Sequence, residues 1–231
     1  MQIELKNIDF SYTKTSLFKN LNMKPESGML NLLIGYNGAG KTTLFDILTG
    51  LSTPQSGEIN GLPKKEKILY QTQTPALFGA LTGKDLERFI FGISNGYTPI
   101  DIRLLSDRLQ NLYYNLLNKK ISVMSVGERR WLLTLFETHL DKQLFLFDEP
   151  TSGVDPTSRR QILDRLNVIA QSPKRIVIVS THELRDYESM PSHIFLLNKG
   201  RVQPFSSYND FVQISPRKDP NEAFELYLGE S

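Results

Sequence analysis

The chain of 231 residues contains no cysteine. This absence excludes disulfide bonds, thiolate metal sites and a cysteine nucleophile, and it is compatible with a reducing cytosol. Long apolar runs are also missing: no segment approaches the ~18 consecutive apolar residues of a membrane-spanning helix. The N-terminal stretch MQIELKNIDF carries charges where a signal peptide needs an apolar run. We therefore expect any work at a membrane to depend on a partner.

Long runs of one charge sign are absent as well. The formal net charge is +2, and the basic cluster PKKEK at residues 63–67 fits a solvated turn better than a phosphate-binding patch. Electrostatics alone therefore predicts no nucleic-acid partner. An apolar content of 39% and a charged content of 23% are ordinary for a globular protein. The length suffices for one large domain with a substantial core.

Buried strands alternate with helical patterns along the chain. The predicted strands are IELKNIDFSY, MLNLLIG, SGEINGL, KILYQTQ, QLFLF, RIVIVS and the hairpin HIFLLNKGRVQPF. Between about residues 75 and 140 the pattern is helical, with segments KDLERFIFGI, DIRLLSDRLQNLYYNLLN and a third that starts at Ser125. Thr82 and Asp85 form a capping box before the first of these segments. This order predicts one α/β domain over residues 1–231, with a mainly parallel sheet and a helical subdomain inserted at about 75–140.

The segment GYNGAGKTT has the spacing of a P-loop and stands between an apolar strand and a helix, as that motif requires. Its members are Gly35, Tyr36, Asn37, Gly38, Ala39, Gly40, Lys41, Thr42 and Thr43. The glycines let successive backbone N–H groups face a phosphate, and the following helix adds its positive end. We expect Lys41 to contact the β- and γ-phosphates, Thr42 to ligate Mg²⁺ and Thr43 to bond the α-phosphate. The segment therefore predicts nucleotide binding.

Two carboxylates follow the buried strand in LFLFDEP, residues 144–150. Ligands of an open α/β sheet bind at this edge. Asp148 fits the Walker-B role of holding Mg²⁺, and Glu149 is placed to polarise the attacking water. His182, in STHE, follows the next buried strand and reaches the same edge. The sequence therefore predicts the second half of a nucleotide site here.

The stretch ISVMSVGERRW, residues 121–131, is open to two interpretations. Ser125 and Glu128 form a capping box, which is a common way to start a helix. The same stretch stands shortly before the Walker-B strand, where it could be an altered nucleotide-binding signature. The residues of this stretch do not decide between the two.

Taken together, these motifs resemble those of the ATP-binding subunit of an ABC transporter, over essentially the whole chain. The resemblance implies a P-loop NTPase core with an N-terminal antiparallel β part. Tyr12 matches the aromatic residue that stacks on adenine, although tyrosine is also common on strand faces. Gln73, with Gln71 as the competing choice, matches the glutamine that contacts Mg²⁺ and senses the membrane partner. His182 matches the histidine that contacts the γ-phosphate. The D-loop would comprise Ser152, Gly153 and Asp155, with Val154 in place of the usual leucine.

In this family two subunits enclose two ATP molecules, each between the P-loop of one subunit and the signature of the other. The usual signature, Leu-Ser-Gly-Gly-Gln, corresponds to residues 124–128. The matching signature residues are Ser125, Val126, Gly127 and Glu128. Val126 departs from the pattern, and we expect a β-branched residue to add bulk at a close approach and to disfavour a positive φ. The resemblance implies a homodimer, or a heterodimer with another ATP-binding subunit.

The implied function is an ATPase that uses ATP and Mg²⁺ to power solute transport through separate transmembrane subunits. We expect export rather than import, at the cytoplasmic side of a membrane, with no nucleic-acid partner. The segment PALFGALTGKDLERFIFGI, residues 75–93, lies where the family docks its membrane partner, although most of its apolar residues also suit a core. Two alternatives are an ABC ATPase of repair, translation or cofactor assembly, and a regulatory nucleotide-binding module with weak hydrolysis.

Overall fold

The computed structural model describes residues 1–13 and 15–229. Within them, the strands are β1 (Glu4–Ser11), β2 (Ser16–Met23), β3 (Leu30–Ile34), β4 (Ser56–Asn60), β5 (Ile68–Gln71), β6 (Leu144–Asp148), β7 (Ile176–Ser180), β8 (Ser192–Asn198) and β9 (Arg201–Phe205). The α-helices are α1 (Lys41–Thr49), α2 (Gly83–Gly92), α3 (Asp107–Leu117), α4 (Val126–Thr138), α5 (Pro156–Ala170), α6 (Tyr208–Val212) and α7 (Pro220–Leu228). None of the helices in these ranges is both long and apolar enough to cross a membrane.

The main sheet has the strand order β5-β6-β7-β3-β8-β9. All neighbours in it pair in parallel except β8 and β9, which form the predicted hairpin. Every residue of β3, β6 and β7 is buried, which explains why these strands are nearly continuous apolar runs in the sequence. The predicted α/β class with a mainly parallel sheet is confirmed.

A second, antiparallel sheet has the order β2-β1-β4 and contains the N-terminal strand. The sequence pattern did not predict β2 as a separate strand. The β1–β2 pairing is interrupted by register shifts, so the buried positions of β2 lack strict alternation. A bulged strand loses the period of two on which strand prediction depends.

Helices α2 to α4 lie between β5 and β6 in the chain, in the segment where the helical subdomain was predicted. Both predicted capping boxes are present, one at Thr82 before α2 and one at Ser125 before α4. The predicted helix over residues 101–118 is wrong at its start, because α3 begins only at Asp107. The side chain of Asp101 accepts a hydrogen bond from the backbone of Arg103 and forms a local turn instead.

The main sheet is covered by apolar side chains on both faces. In β7, Val177 and Val179 belong to the core that contains the helical segment, whereas Ile176 and Ile178 belong to the core beneath α1. This alternation fixes the strands between two layers. The carboxyl ends of β3, β6 and β7 therefore meet at one edge, which brings distant motifs together.

Candidate functional site

The P-loop connects β3 to α1 and leaves the start of the helix open to a ligand. Gly38 and Gly40 have φ values of 83° and 109°, which non-glycine residues rarely adopt. A Cβ atom on Gly40 would also lie 2.7 Å from the ring of Phe18. No side chain caps α1, so its first N–H groups are not taken by a capping residue. This backbone geometry is suited to binding an anion at the helix start.

Lys41 and Thr42, the first residues of α1, connect the P-loop to the Walker-B strand. The Lys41 ammonium donates hydrogen bonds to the carbonyl oxygens of Gly35 (2.7 Å) and Tyr36 (3.2 Å). Burial lowers the pKa of Lys41, while the charges of Glu149 and Asp148 oppose that shift. The Thr42 hydroxyl donates to Asp148 Oδ2 at 2.7 Å. The two predicted metal ligands therefore lie in direct contact.

Glu149 is held at the end of β6 with an unusual backbone. Its φ is 46°, in the left-handed region, and its N–H donates to both the carbonyl oxygen (3.1 Å) and the hydroxyl (3.0 Å) of Ser180. Gln73 Nε2 donates to Glu149 Oε2 at 3.1 Å, and His182 Nδ1 lies 3.2 Å from Oε1. A non-glycine residue in this conformation is held by its surroundings. The structure thus brings three predicted site residues into one contact group.

Two residues that sequence reasoning missed support this group. Ser180, the last residue of β7, donates from its hydroxyl to Asp148 Oδ1 and so orients the carboxylate. Arg130, on α4, donates to the carbonyl oxygens of Glu149 (3.4 Å) and Gln73, and burial lowers its pKa. The available signals were a polar residue at the end of an apolar strand and an arginine beside the apolar stripe of α4. Neither position is informative until the three strands and α4 are assembled.

Tyr12 lines the P-loop cavity, which measures about 520 Å³ and is also bordered by residues of the P-loop, Gln73, Asp148 and Glu149. Its side chain is 65% exposed, and its hydroxyl lies 3.1 Å from Thr43 Oγ1. The edge of its ring packs against Phe10, with centroids 4.9 Å apart. An exposed ring that is anchored at both ends is available for stacking on a planar base. Gln71, the competing Q-loop residue, points elsewhere and binds Glu137 on α4.

The signature stretch is an ordinary helix start in its geometry. The Ser125 hydroxyl accepts a hydrogen bond from the N–H of Glu128, and the Glu128 carboxylate accepts one from the N–H of Ser125. The same carboxylate forms an ion pair with Lys119 at 2.8 Å. Val126 is the first residue of α4 and has no positive φ, so the expected conformational conflict at this residue is wrong. Its side chain is 43% exposed. None of residues 125–128 lines the P-loop cavity of the same chain.

Gly127 packs against the start of α5, next to the D-loop. A Cβ atom there would lie 2.7 Å from Asp155 Oδ2 and 2.8 Å from the Ser158 hydroxyl oxygen. Asp155 caps α5 by accepting from Thr157 N (3.1 Å) and Ser158 N (3.0 Å). The other D-loop residues continue directly from the Walker-B strand, and Ser152 N donates to the Glu149 carbonyl at 3.1 Å. The stretches predicted as the signature and the D-loop are therefore packed together within one chain.

Comparison with known proteins gives a consistent picture. A family model described as "ABC transporter" matches residues 18–152. The chain is 29% identical to the energy-coupling factor transporter ATP-binding protein EcfA3 of Oenococcus oeni, over 90% of this chain and 79% of the relative. It is 29% identical to Protein McbF of Escherichia coli, over 91% and 88%. It is 28% identical to the autoinducer 2 import ATP-binding protein LsrA of an Enterobacter species, over 87% of this chain and 42% of that longer protein.

Solved structures share the fold. The chain superposes on the ATP-binding subunit of an ABC transporter with a TM-score of 0.79 at 23% identity, over 99% of this chain and 100% of the other. A nucleotide-free ATP-binding cassette from an ABC transporter gives a TM-score of 0.76 at 18% identity, over the whole of both chains. Because the family model spans more than half of the sequence and the fold agrees along its length, the protein belongs to the ABC transporter family, as an ATPase coupled to transport.

Proposed function

We propose that this chain hydrolyses Mg²⁺-bound ATP at the edge formed by β3, β6 and β7. The observation that carries the proposal is the contact group around Glu149, in which Gln73 and His182 lie 3.1 and 3.2 Å from its carboxylate. In this proposal Glu149 polarises the attacking water, His182 contacts the γ-phosphate and Lys41 stabilises the developing negative charge. Phosphoryl transfer needs mainly such positioning and electrostatic stabilisation.

The residues around Asp148 fit Mg²⁺. The ion prefers oxygen ligands and retains several waters, so it needs few protein groups when phosphates supply the rest. Thr42 and Asp148 offer a hydroxyl and a carboxylate 2.7 Å apart, beside the open start of α1. Gln73, whose amide nitrogen donates to the neighbouring Glu149, would add its amide oxygen as a further ligand. Bound Mg²⁺ would offset the charge of the phosphates.

The arrangement of the signature supports a dimer in which each copy completes the site of the other. Residues 125–128 do not line the cavity of their own chain, and they stand at the positive end of α4, where Ser125 already caps the N–H of Glu128. The half-exposed Val126 leaves this end accessible. A homodimer and a heterodimer are both compatible with this geometry. In a heterodimer, the complete P-loop of this chain would meet the signature of its partner.

A groove between β5 and α2 is the proposed docking surface for a transmembrane subunit. It measures about 460 Å³ and is bordered by apolar side chains. Leu86 and Ile90 of α2 are buried, whereas Phe89 and Ile93 are 52% and 69% exposed. Phe78, in the segment that follows Gln73, is 75% exposed. Exposed aromatic and aliphatic residues next to the Q-loop would couple partner docking to the catalytic group.

The solute and the direction of transport follow from the partner rather than from this chain. The expectation of export has no support among the relatives, one of which is named as an import protein. Because docking requires a membrane partner and the site requires ATP, we place the protein at the cytoplasmic side of a membrane as a peripheral subunit. An ABC ATPase of repair, translation or cofactor assembly would use the same ATP site but would not require this groove for a membrane partner.

The test of the ATP site separates binding from turnover. Lys41→Ala removes a charged donor and should weaken ATP binding about tenfold to a hundredfold in equilibrium titration. Glu149→Gln keeps the shape of the side chain and should retain ATP binding, while turnover falls about a hundredfold or more. Lys84→Ala, at an exposed position on α2, serves as the control and should change neither quantity. Near-normal turnover of the Glu149 variant would assign the base to another group.

The test of transport uses vesicles that carry a candidate transmembrane subunit encoded beside this chain. We expect the vesicles to raise the ATPase rate of the parent chain, and Phe89→Asp to abolish the increase without changing basal turnover. Leu51→Asp, at a residue 73% exposed outside the groove, should behave like the parent. An equal vesicle-dependent increase in the Phe89→Asp and Leu51→Asp variants would contradict docking at the groove. Absence of basal turnover in the parent chain would instead contradict the ATPase site itself.

A further inference from the structure

A further cavity lies away from the nucleotide site. It measures about 610 Å³ and is enclosed by α4, α5 and the segment 98–109 that leads into α3. Its walls are mainly aliphatic, with Leu105, Leu109, Leu135, Ile162, Val168 and Ile169 among the lining residues. A half-open apolar cavity of this size is within the range of small-molecule sites. None of its lining residues is shared with the P-loop cavity.

A guanidinium without an acidic partner reaches this cavity. Arg165, on α5, donates from Nε to Thr138 Oγ1 at 2.7 Å and lies 3.1 and 3.2 Å from the two ring nitrogens of His139. Among residues 1–13 and 15–229, no carboxylate lies within ion-pair distance of Arg165. A charge that is removed from water without a counter-ion is costly. An anion in the cavity would relieve this cost.

The acidic residues that line the cavity are already engaged. Asp101 forms an ion pair with Arg103 at 2.8 Å, and Asp164 forms one with Arg160 at 2.9 Å. The pKa of Arg165 is lowered to about 10 by burial and by the like charge of Arg175, so the guanidinium stays protonated at neutral pH. The nearby carboxylates therefore leave the positive charge uncompensated.

Arg165 brings an unpaired charge to the cavity. The neutral His139, whose pKa is lowered to about 4 by burial, adds no positive charge near pH 7. Two unpartnered polar atoms of lining residues, Thr134 Oγ1 and Gln161 Oε1, are enclosed within the protein and do not face the cavity. The recognition of a ligand by charge therefore depends on the guanidinium of Arg165.

We propose that this cavity binds an amphipathic monoanion, namely an alkyl carboxylate. The carboxylate would pair with the Arg165 guanidinium, and the aliphatic chain would lie along the leucine and isoleucine walls. Inorganic anions would satisfy the charge but leave the apolar walls in contact with water, and neutral alkanes would leave the guanidinium unpaired. The site is a second one, and it is independent of ATP hydrolysis at the P-loop.

The chain carries its own reporter for this binding. Trp131 is the single tryptophan of the sequence, it is 4% exposed, and it lines the cavity. We expect decanoate, below its micelle-forming concentration, to change the emission of Trp131 saturably in the purified protein. Decan-1-ol and decyltrimethylammonium have the same alkyl chain without the negative charge, and each should bind at least about tenfold more weakly than decanoate. ATP should not displace decanoate.

Arg165→Gln should weaken decanoate binding about tenfold or more and leave decan-1-ol binding unchanged. Arg217→Gln, at an exposed position outside the cavity, is the matched control and should bind decanoate as the parent does. Circular dichroism and thermal melting check that both variants fold, and if Arg165→Gln does not, the three ligands compared on the parent chain still decide. Equal binding of decanoate and decan-1-ol, or no saturable change in Trp131 emission, would overturn the proposal.

Discussion

The carboxyl group of Glu137 offers a test of the electrostatics of the helical segment. Glu137 lies on α4 at the floor of the docking groove and accepts a hydrogen bond from Gln71 Nε2 at 2.7 Å. Burial raises its pKa from 4.5 to about 8, and the hydrogen bond from Gln71 and the charge of Arg130 oppose that shift. Lys142, which also lines the groove, donates instead to the carbonyl oxygen of Glu66 at 2.7 Å.

The sign of the effect follows from proton binding. Between the unfolded pKa of 4.5 and the folded pKa of about 8, the folded state holds a proton on Glu137 that the unfolded state has released. The free energy of unfolding therefore falls as the pH rises through this window, by at most about 1.4 kcal/mol per pH unit. Because the side chain is partly exposed to the groove, we expect about 2 kcal/mol in total between about pH 5.5 and pH 7.5.

The assay is urea unfolding of the parent and of Glu137→Gln at both pH values. The amide does not titrate, so the variant should lack this loss of about 2 kcal/mol. Burial lowers the pKa of His139 to about 4, and this makes the free energy of unfolding rise with pH over the lower part of the window. The contribution of His139 is common to both proteins, so it cancels in the difference between them. Glu225→Gln, at an exposed position on α7, is the control. Parallel pH dependences of the parent and Glu137→Gln would refute the reasoning.

Three further predictions concern two glycines of the helical segment, the predicted signature and the Walker-B carboxylate. Gly127→Ala places a Cβ atom 2.7 Å from Asp155 Oδ2 and should lower the free energy of unfolding by about 1–3 kcal/mol in chemical denaturation. Gly92→Ala is the comparison, because a Cβ atom there has open space around it, and it should raise the free energy of unfolding by about 0.4–1 kcal/mol. Val126→Gly in the Glu149→Gln background should increase the ATP-dependent dimer fraction in sedimentation, because it removes bulk from an accessible helix end; an unchanged fraction would show that the valine is accommodated. Ser180→Ala removes the donor to the Walker-B carboxylate and should lower turnover more than ATP binding, and a variant with parental turnover would contradict an orienting role.

Much of the candidate site could be predicted from the sequence, because local chemistry fixes it. The spacing of GYNGAGKTT requires glycine at left-handed positions and a helix start directly after them, and Gly38, Gly40 and α1 have these properties. The capping boxes at Thr82 and Ser125 were also predicted, because their hydrogen bonds span only three residues. Nearly continuous apolar runs identified β3, β6 and β7, since a strand buried on both faces has few polar positions.

The tertiary structure decided everything that depends on contacts between distant segments. Strand β2 and the true start of α3 were missed or misplaced, because a bulged pairing and a side-chain turn at Asp101 override the local period. The sequence places Arg130 beside the apolar stripe of α4, but only packing aims its guanidinium at the carbonyl oxygens of Gln73 and Glu149. The left-handed backbone of Glu149 likewise depends on Ser180 of a neighbouring strand. Motif residues follow from short-range geometry, whereas their orientation follows from the parallel sheet that assembles them at one edge.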